Sequence, residues 1–126
     1  MPLVRISLRS GKTPQYRRAV ADSIHRSLVE TIKIPEKDRF QIVTEHAAGD
    51  LIYDPSYLDI QRSDDVLLVQ ITLSAGRSVE LKKALYARMV ELLAASPGIR
   101  KEHLFVSLLE VAKENWSFGN GVAQYA

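Results

Sequence analysis

Three residues far apart in the chain carry groups from which acid–base chemistry on a small anion can be assembled: Pro2, Asp38 and Arg77. Pro2 follows the initiator methionine, which is commonly removed when the next residue is small, so the mature chain is expected to begin at Pro2. Its nitrogen then becomes a free secondary amine, whereas the other four of the five prolines are amides. An α-amino group has a reference pKa of about 7.7–8.0. Burial or nearby cations lower that value and make a general base, while a nearby carboxylate raises it and keeps a cation. The plainer reading of Pro2 is a residue tolerated at a strand start, where its missing N–H does no harm.

Arg77 follows Gly76 where a helix should begin. A guanidinium beside the N–H groups of a helix start can fork a carboxylate, and a solvated helix-start residue is the equal alternative. For Asp38, next to Arg39, an exposed ion pair is the simpler account.

The elements that would position these groups are legible from periodicity. Leu3 to Leu8 reads as a strand, and Arg9-Ser10-Gly11-Lys12-Thr13-Pro14 as a turn with Thr13 as N-cap and Pro14 at the first helical position. Val20, Ala21, Ile24, Leu28 and Ile32 then mark one face of a helix of about five turns. Pro35 stops it, and Phe40 to Thr44 forms a second strand. Strand, helix, strand at this length is a βαβ unit with parallel strands. Residues 48–65 make a long linking loop, and connections of that length are usually functional or reach a partner. Val66 to Leu73 is an aliphatic, β-branched run of the kind found in a central buried strand. A second helix carries Leu81, Leu85, Met89 and Leu92 on one face, Pro97-Gly98 ends it, and Leu104 to Leu109 is a fourth strand.

The two halves repeat. A constant offset of 65 positions relates Gly11 to Gly76, Ile6 to Ile71, Leu8 to Leu73, Ala19 to Ala84, Leu28 to Leu93, Ile34 to Ile99, Phe40 to Phe105 and Glu45 to Glu110. The expected fold is α/β (α+β): two tandem βαβ units in one domain, over about 2–47 and 66–112, with a tail at 113–126. They should form a four-stranded mixed sheet with both helices on one face. Strands as apolar as 66–73 should not leave the other face in water, so the bare face predicts oligomerisation. If a pseudo-twofold relates the units, one sheet edge collects Pro2, Asp38 or Arg39, and the turn from Ser74 to Arg77.

Composition narrows the function. The chain has 126 residues, 46% hydrophobic content and a net charge of +2 from 17 basic and 15 acidic residues, which fits one domain with a real core and argues against nucleic acid. It has no cysteine, so no disulfide or thiolate metal site is expected, and a reducing, cytoplasmic setting fits. No apolar run approaches the roughly 18–20 residues that span a bilayer. His25, His46 and His103 lack ligand spacing and are assigned no role.

Met1-Pro2, Asp38-Arg39-Phe40-Gln41, Gln61-Arg62-Ser63, Ala75-Gly76-Arg77-Ser78 and Trp116-Ser117-Phe118-Gly119 resemble the tautomerase superfamily over nearly the whole chain, and within it the malonate semialdehyde decarboxylase group. The resemblance implies a homotrimer acting on a small oxo acid, with no cofactor and no metal, in which Pro2, Asp38 and Arg77 are catalytic and Gln61, Ala75, Trp116 and Phe118 line the substrate site. In a tautomerase, neutral Pro2 moves a proton on a 2-oxo acid beside an apolar wall of Trp116 and Phe118. In a decarboxylase, cationic Pro2 polarises the oxo group, Asp38 sustains its charge and Arg77 positions the departing carboxylate. Ala75 departs from the decarboxylase pattern, which can carry an arginine there. A non-catalytic trimer that binds a small acid through Arg77 is the reading from another class.

Overall fold

The computed structural model describes residues 1–126. Four strands, β1 (Leu3–Arg9), β2 (Phe40–His46), β3 (Leu67–Ser74) and β4 (Leu104–Val111), form one sheet in the order β2-β1-β3-β4. β1 and β2 are parallel, β3 and β4 are parallel, and β1 meets β3 antiparallel at the centre. Two helices, α1 (Pro14–Ile32) and α2 (Val79–Ala95), complete the two βαβ units.

The duplication extends to the register: Leu3 pairs with Phe40 in the first unit and Leu68 with Phe105 in the second, the same offset of 65. Both helices start alike. Thr13 and Ser78 are extended N-caps whose hydroxyls accept from the backbone N–H three residues on, at 3.1 and 3.2 Å. Each follows a glycine in the left-handed region, Gly11 at φ 114° and Gly76 at φ 121°, a conformation that a side chain would strain.

Alternation along the central strands sends one set of side chains under the helices. Val4, Ile6 and Leu8 of β1 and Leu67, Val69, Ile71 and Leu73 of β3 meet Val20, Ala21, Ile24, Leu28 and Ile32 of α1 and Leu85, Met89 and Leu93 of α2 in one core. Two sequence expectations need correcting. On α2, Leu81 in the first turn is exposed and Leu92 only half-buried, while Leu93 lies in the core. The face therefore runs Leu85, Met89, Leu93. β3 is central as expected, yet its open face carries half-buried Leu68 and Thr72 around an exposed Gln70. The apolar surface on that face comes chiefly from the edge strands, where Phe40, Ile42, Phe105 and Leu109 are 40–50% exposed.

Candidate active site

The β1 rung fixes the site. Leu3 pairs with Phe40 on one side and Thr72 on the other. Stepping off that rung, Met1 precedes Leu3 by two residues, Asp38 precedes Phe40 by two, and Ser74 follows Thr72 by two. Three chain segments thus meet at one end of the sheet, with the start of α2 beside them.

At this end the Met1 amine forms an ion pair with the Asp38 carboxylate. Pro2 is buried directly behind it, and Asp38 is itself only 12% exposed. The buried Asp38 Oδ2 has no partner besides that amine. Burial, and then the Arg77 guanidinium, push the amine down from its ordinary value near 8.0 to about 6, while the carboxylate in contact pulls the other way. Arg77 is held by donating from Nη1 to the Ser74 carbonyl at 3.0 Å. The Ser74 hydroxyl donates to Met1 Sδ at 3.1 Å and accepts from Trp116 Nε1 at 3.2 Å.

An aromatic wall closes one side. Trp116 and Phe118 stack at 5.5 Å between centroids with 10° between planes. Phe40 lies 6.3 Å from Phe118, and Tyr125 meets Phe118 edge-on at 5.1 Å. The Gln124 side chain clamps this tail, accepting from Phe118 N and donating to the Gly119 carbonyl, both at 2.9 Å. An apolar wall beside an amine disfavours the charged form. No three His, Cys, Asp or Glu side chains are grouped to hold a metal ion, and no helix is long and apolar enough to cross a membrane.

Two tautomerase-enzyme family models match the chain, one over residues 38–119 and the other over residues 2–59. A probable tautomerase of Bacillus subtilis (strain 168), YusQ, is 40% identical over 124 residues, 98% of each chain. The chain belongs to the tautomerase superfamily. The crystal structure of FG41 malonate semialdehyde decarboxylase inhibited by 3-bromopropiolate is 41% identical, with a TM-score of 0.92 over 98% of this chain and 93% of that one. A fused 4-OT, solved as a symmetric trimer, is 28% identical with a TM-score of 0.78, over 98% and 97% of the two chains. The fold and the enzyme class are therefore those of a tautomerase-superfamily enzyme.

Within this superfamily enzyme, Pro2, Asp38, Arg77, Trp116 and Phe118 gather at one end of the sheet, and Ala75 lies in the turn between Ser74 and Arg77, its N–H on the Val111 carbonyl at 2.9 Å. Gln61 does not join them. Its loop leads into the start of β3, which lies beside the far end of β1 (Ser7 pairs with Leu68), and its carbonyl faces Arg100 Nη2 at 3.4 Å. Within one chain this is the opposite end of the sheet. Arg39 also turns away, bonding Asp22 at 2.6 Å and Gln41 Oε1 at 2.8 Å, so the simple Asp38–Arg39 surface pair does not form. Sequence reasoning missed Tyr125 and Gln124. The aromatic at 125 extends the Trp116, Phe118 series, a signal within reach, but nothing in the spacing marks Gln124.

Proposed function

We propose that this enzyme is a cofactor-independent, homotrimeric tautomerase of small 2-oxo acids in which the freed Pro2 amine is the general base. Neutral Pro2 takes a proton from the carbon α to the carbonyl, and the electron pair moves onto the oxygen as an enolate. The proton then returns to that oxygen, completing the keto–enol exchange. Arg77 holds the substrate carboxylate or the enolate oxygen, and Trp116 and Phe118 keep the amine in apolar surroundings. Asp38 steadies the proton while Pro2 carries it.

The observation that carries this reading is the Met1 amine, held between Asp38 and Arg77 directly in front of Pro2 and lowered to about 6. A Pro2 amine freed beside the same guanidinium and in the same buried setting would be lowered likewise, and a lowered amine is a neutral base at neutral pH. The trimer is supported by the half-exposed Phe40, Ile42, Phe105 and Leu109 on the open sheet face and by the trimeric fused 4-OT relative.

A second reading, decarboxylation or hydration of a 3-oxo acid by cationic Pro2, draws on the carboxylate that touches the amine and on the likeness to the FG41 decarboxylase. Ala75 weakens it, since only Arg77 in this turn offers a guanidinium.

The deciding experiment is a pH titration of the ¹⁵N-labelled Pro2 nitrogen in processed protein, paired with a chain lengthened by one residue before Pro2. A pKa of about 6–7 with activity lost on lengthening is expected. A pKa of about 9 or more moves the assignment to decarboxylation, and full activity in the lengthened chain removes Pro2 from the chemistry altogether.

A further inference from the structure

Ser74 is the last residue of β3 and only 3% exposed, whereas Gln70 on the same sheet face is open to solvent and Thr72 half-buried. A buried hydroxyl has one proton to give and two lone pairs to fill. Trp116 Nε1 fills one lone pair at 3.2 Å, and the proton points at Met1 Sδ at 3.1 Å. A thioether is a weak acceptor, so this is the least satisfied bond in the cluster.

Met1 thereby spans the site: its amine rests on Asp38 and its sulfur on Ser74. Removing this methionine, which frees Pro2, also takes away the only acceptor of the Ser74 proton. A buried donor left without a partner is costly, and a substrate oxygen placed there recovers that bond. The hydroxyl is held in place from both sides, by the Trp116 indole on its oxygen and by Arg77 on its own residue's carbonyl at 3.0 Å. Fixed donors next to a cation are the arrangement that stabilises a developing oxyanion. The position is particular to this end of the sheet, since the equivalent residue of the first unit is Arg9.

We infer that the Ser74 hydroxyl is a further catalytic group, donating a hydrogen bond to the substrate's oxo oxygen and to the enolate oxygen that develops from it. This rests on the tautomerase reading of Pro2. Arg77 is then free to take the carboxylate, and the two substrate oxygens have separate partners.

The test uses processed protein and phenylenolpyruvate as the probe enol, with Ser74→Ala, Ser74→Thr and the lengthened chain side by side. Ser74→Ala should lower kcat on the order of 10²-fold while leaving KM within about threefold. The Pro2 titration should stay in place, and Ser74→Thr should restore most of the rate. Wild-type kcat in Ser74→Ala, with the lengthened chain inactive, overturns the Ser74 assignment and leaves the Pro2 reading standing. A loss accompanied by a shifted Pro2 pKa, and not recovered by threonine, overturns it too, because the residue then acts only through packing. Full activity in the lengthened chain sinks the base reading instead, and this inference with it. Should the alanine variant fail to fold, Ser74→Cys, which keeps the volume but donates weakly, carries the same comparison.

Discussion

Asp38 and His103 hold the same place in the two βαβ units, 65 residues apart and each two residues before the phenylalanine, Phe40 or Phe105, that pairs with Leu3 or Leu68. Asp38 receives the N-terminal amine. His103 instead lies with Nε2 2.8 Å from Ser63 Oγ and 3.2 Å from Arg100 Nη2. The other counterparts diverge in the same sense. Leu67, fully buried, stands where Pro2 does, and Lys12 stands where Arg77 does, with its charge answered by Asp65 at 2.5 Å. Tyr53 replaces Phe118 and donates to Asp64 at 2.7 Å. A tandem duplication supplies two equivalent sheet ends, and the terminal amine lies at one of them. At the other, ion pairs and the 48–65 loop fill the equivalent space.

His103 therefore acts as a structural residue whose protonation opposes folding. Burial, and then the Arg100 guanidinium, hold its pKa below the ordinary 6.5, with Lys12 adding to this and Asp65 and Glu102 opposing it. Its stabilising contribution is complete above about pH 6.5 and declines as pH falls toward the lowered folded value, because the unfolded chain takes up the proton first. His103→Asn should flatten this part of the stability profile. The check is urea unfolding between pH 7.5 and pH 5. An unchanged slope in the variant would show that other groups set it.

Much of the fold was readable because local and global signals agree. The caps Thr13 and Ser78, the α1 stripe and the unbroken 65-residue offset each follow from short-range chemistry, and the offset alone dictated matching registers. The α2 face slipped by one residue because Leu92 and Leu93 are equally apolar within the helix itself, although the offset that relates Leu28 of the α1 stripe to Leu93 already marked the buried one. At the site, Pro2, Asp38 and Arg77 were identifiable by type, and the antiparallel β1–β3 pairing that brings them together follows from the repeat. The direction in which Arg39 turns was not legible, since Asp22 and Gln41 compete for it at distances that only the folded chain defines. Nor was the Ser74 link to Trp116, which joins residues 42 positions apart.

The half-exposed open face makes a second prediction. Phe105 at 50% and Leu109 at 45% exposure lie on the edge strand β4, Phe105 toward the far end of the sheet from Leu3 and Leu109 on the rung of Leu3 but two strands away. Burying such side chains stabilises association by about 25 cal/mol per Å², and a charge placed among them must be desolvated. Phe105→Asp combined with Leu109→Lys should dissociate the proposed trimer while leaving the helix-covered core intact. Sedimentation equilibrium together with far-UV circular dichroism reads both properties. A folded variant that remains trimeric would place the interface elsewhere.

Asp38 and Arg77 act on the terminal amine with opposite signs, which gives the sharpest prediction about the chemistry. On the proposed reading, the Pro2 nitrogen of the processed chain inherits both neighbours. A carboxylate favours the protonated amine and a guanidinium disfavours it. The acid limb of kcat/KM reports the free amine's pKa, so Asp38→Asn should move that limb to lower pH and Arg77→Met should move it to higher pH. Arg77→Met should also reduce kcat/KM by about 10- to 100-fold at its new optimum, because a charge-assisted bond to the substrate carboxylate contributes about 1.5–3 kcal/mol. Asp38→Asn should lower the rate above pH 7 without abolishing it, since it loses only the carboxylate that steadies the proton on Pro2 while the neutral base itself needs no counter-charge. Were Pro2 a cationic acid, the same substitution would remove what keeps it charged, and activity at pH 7 would collapse. The pH–rate profiles of these two variants thus separate the two chemistries without knowledge of the natural substrate.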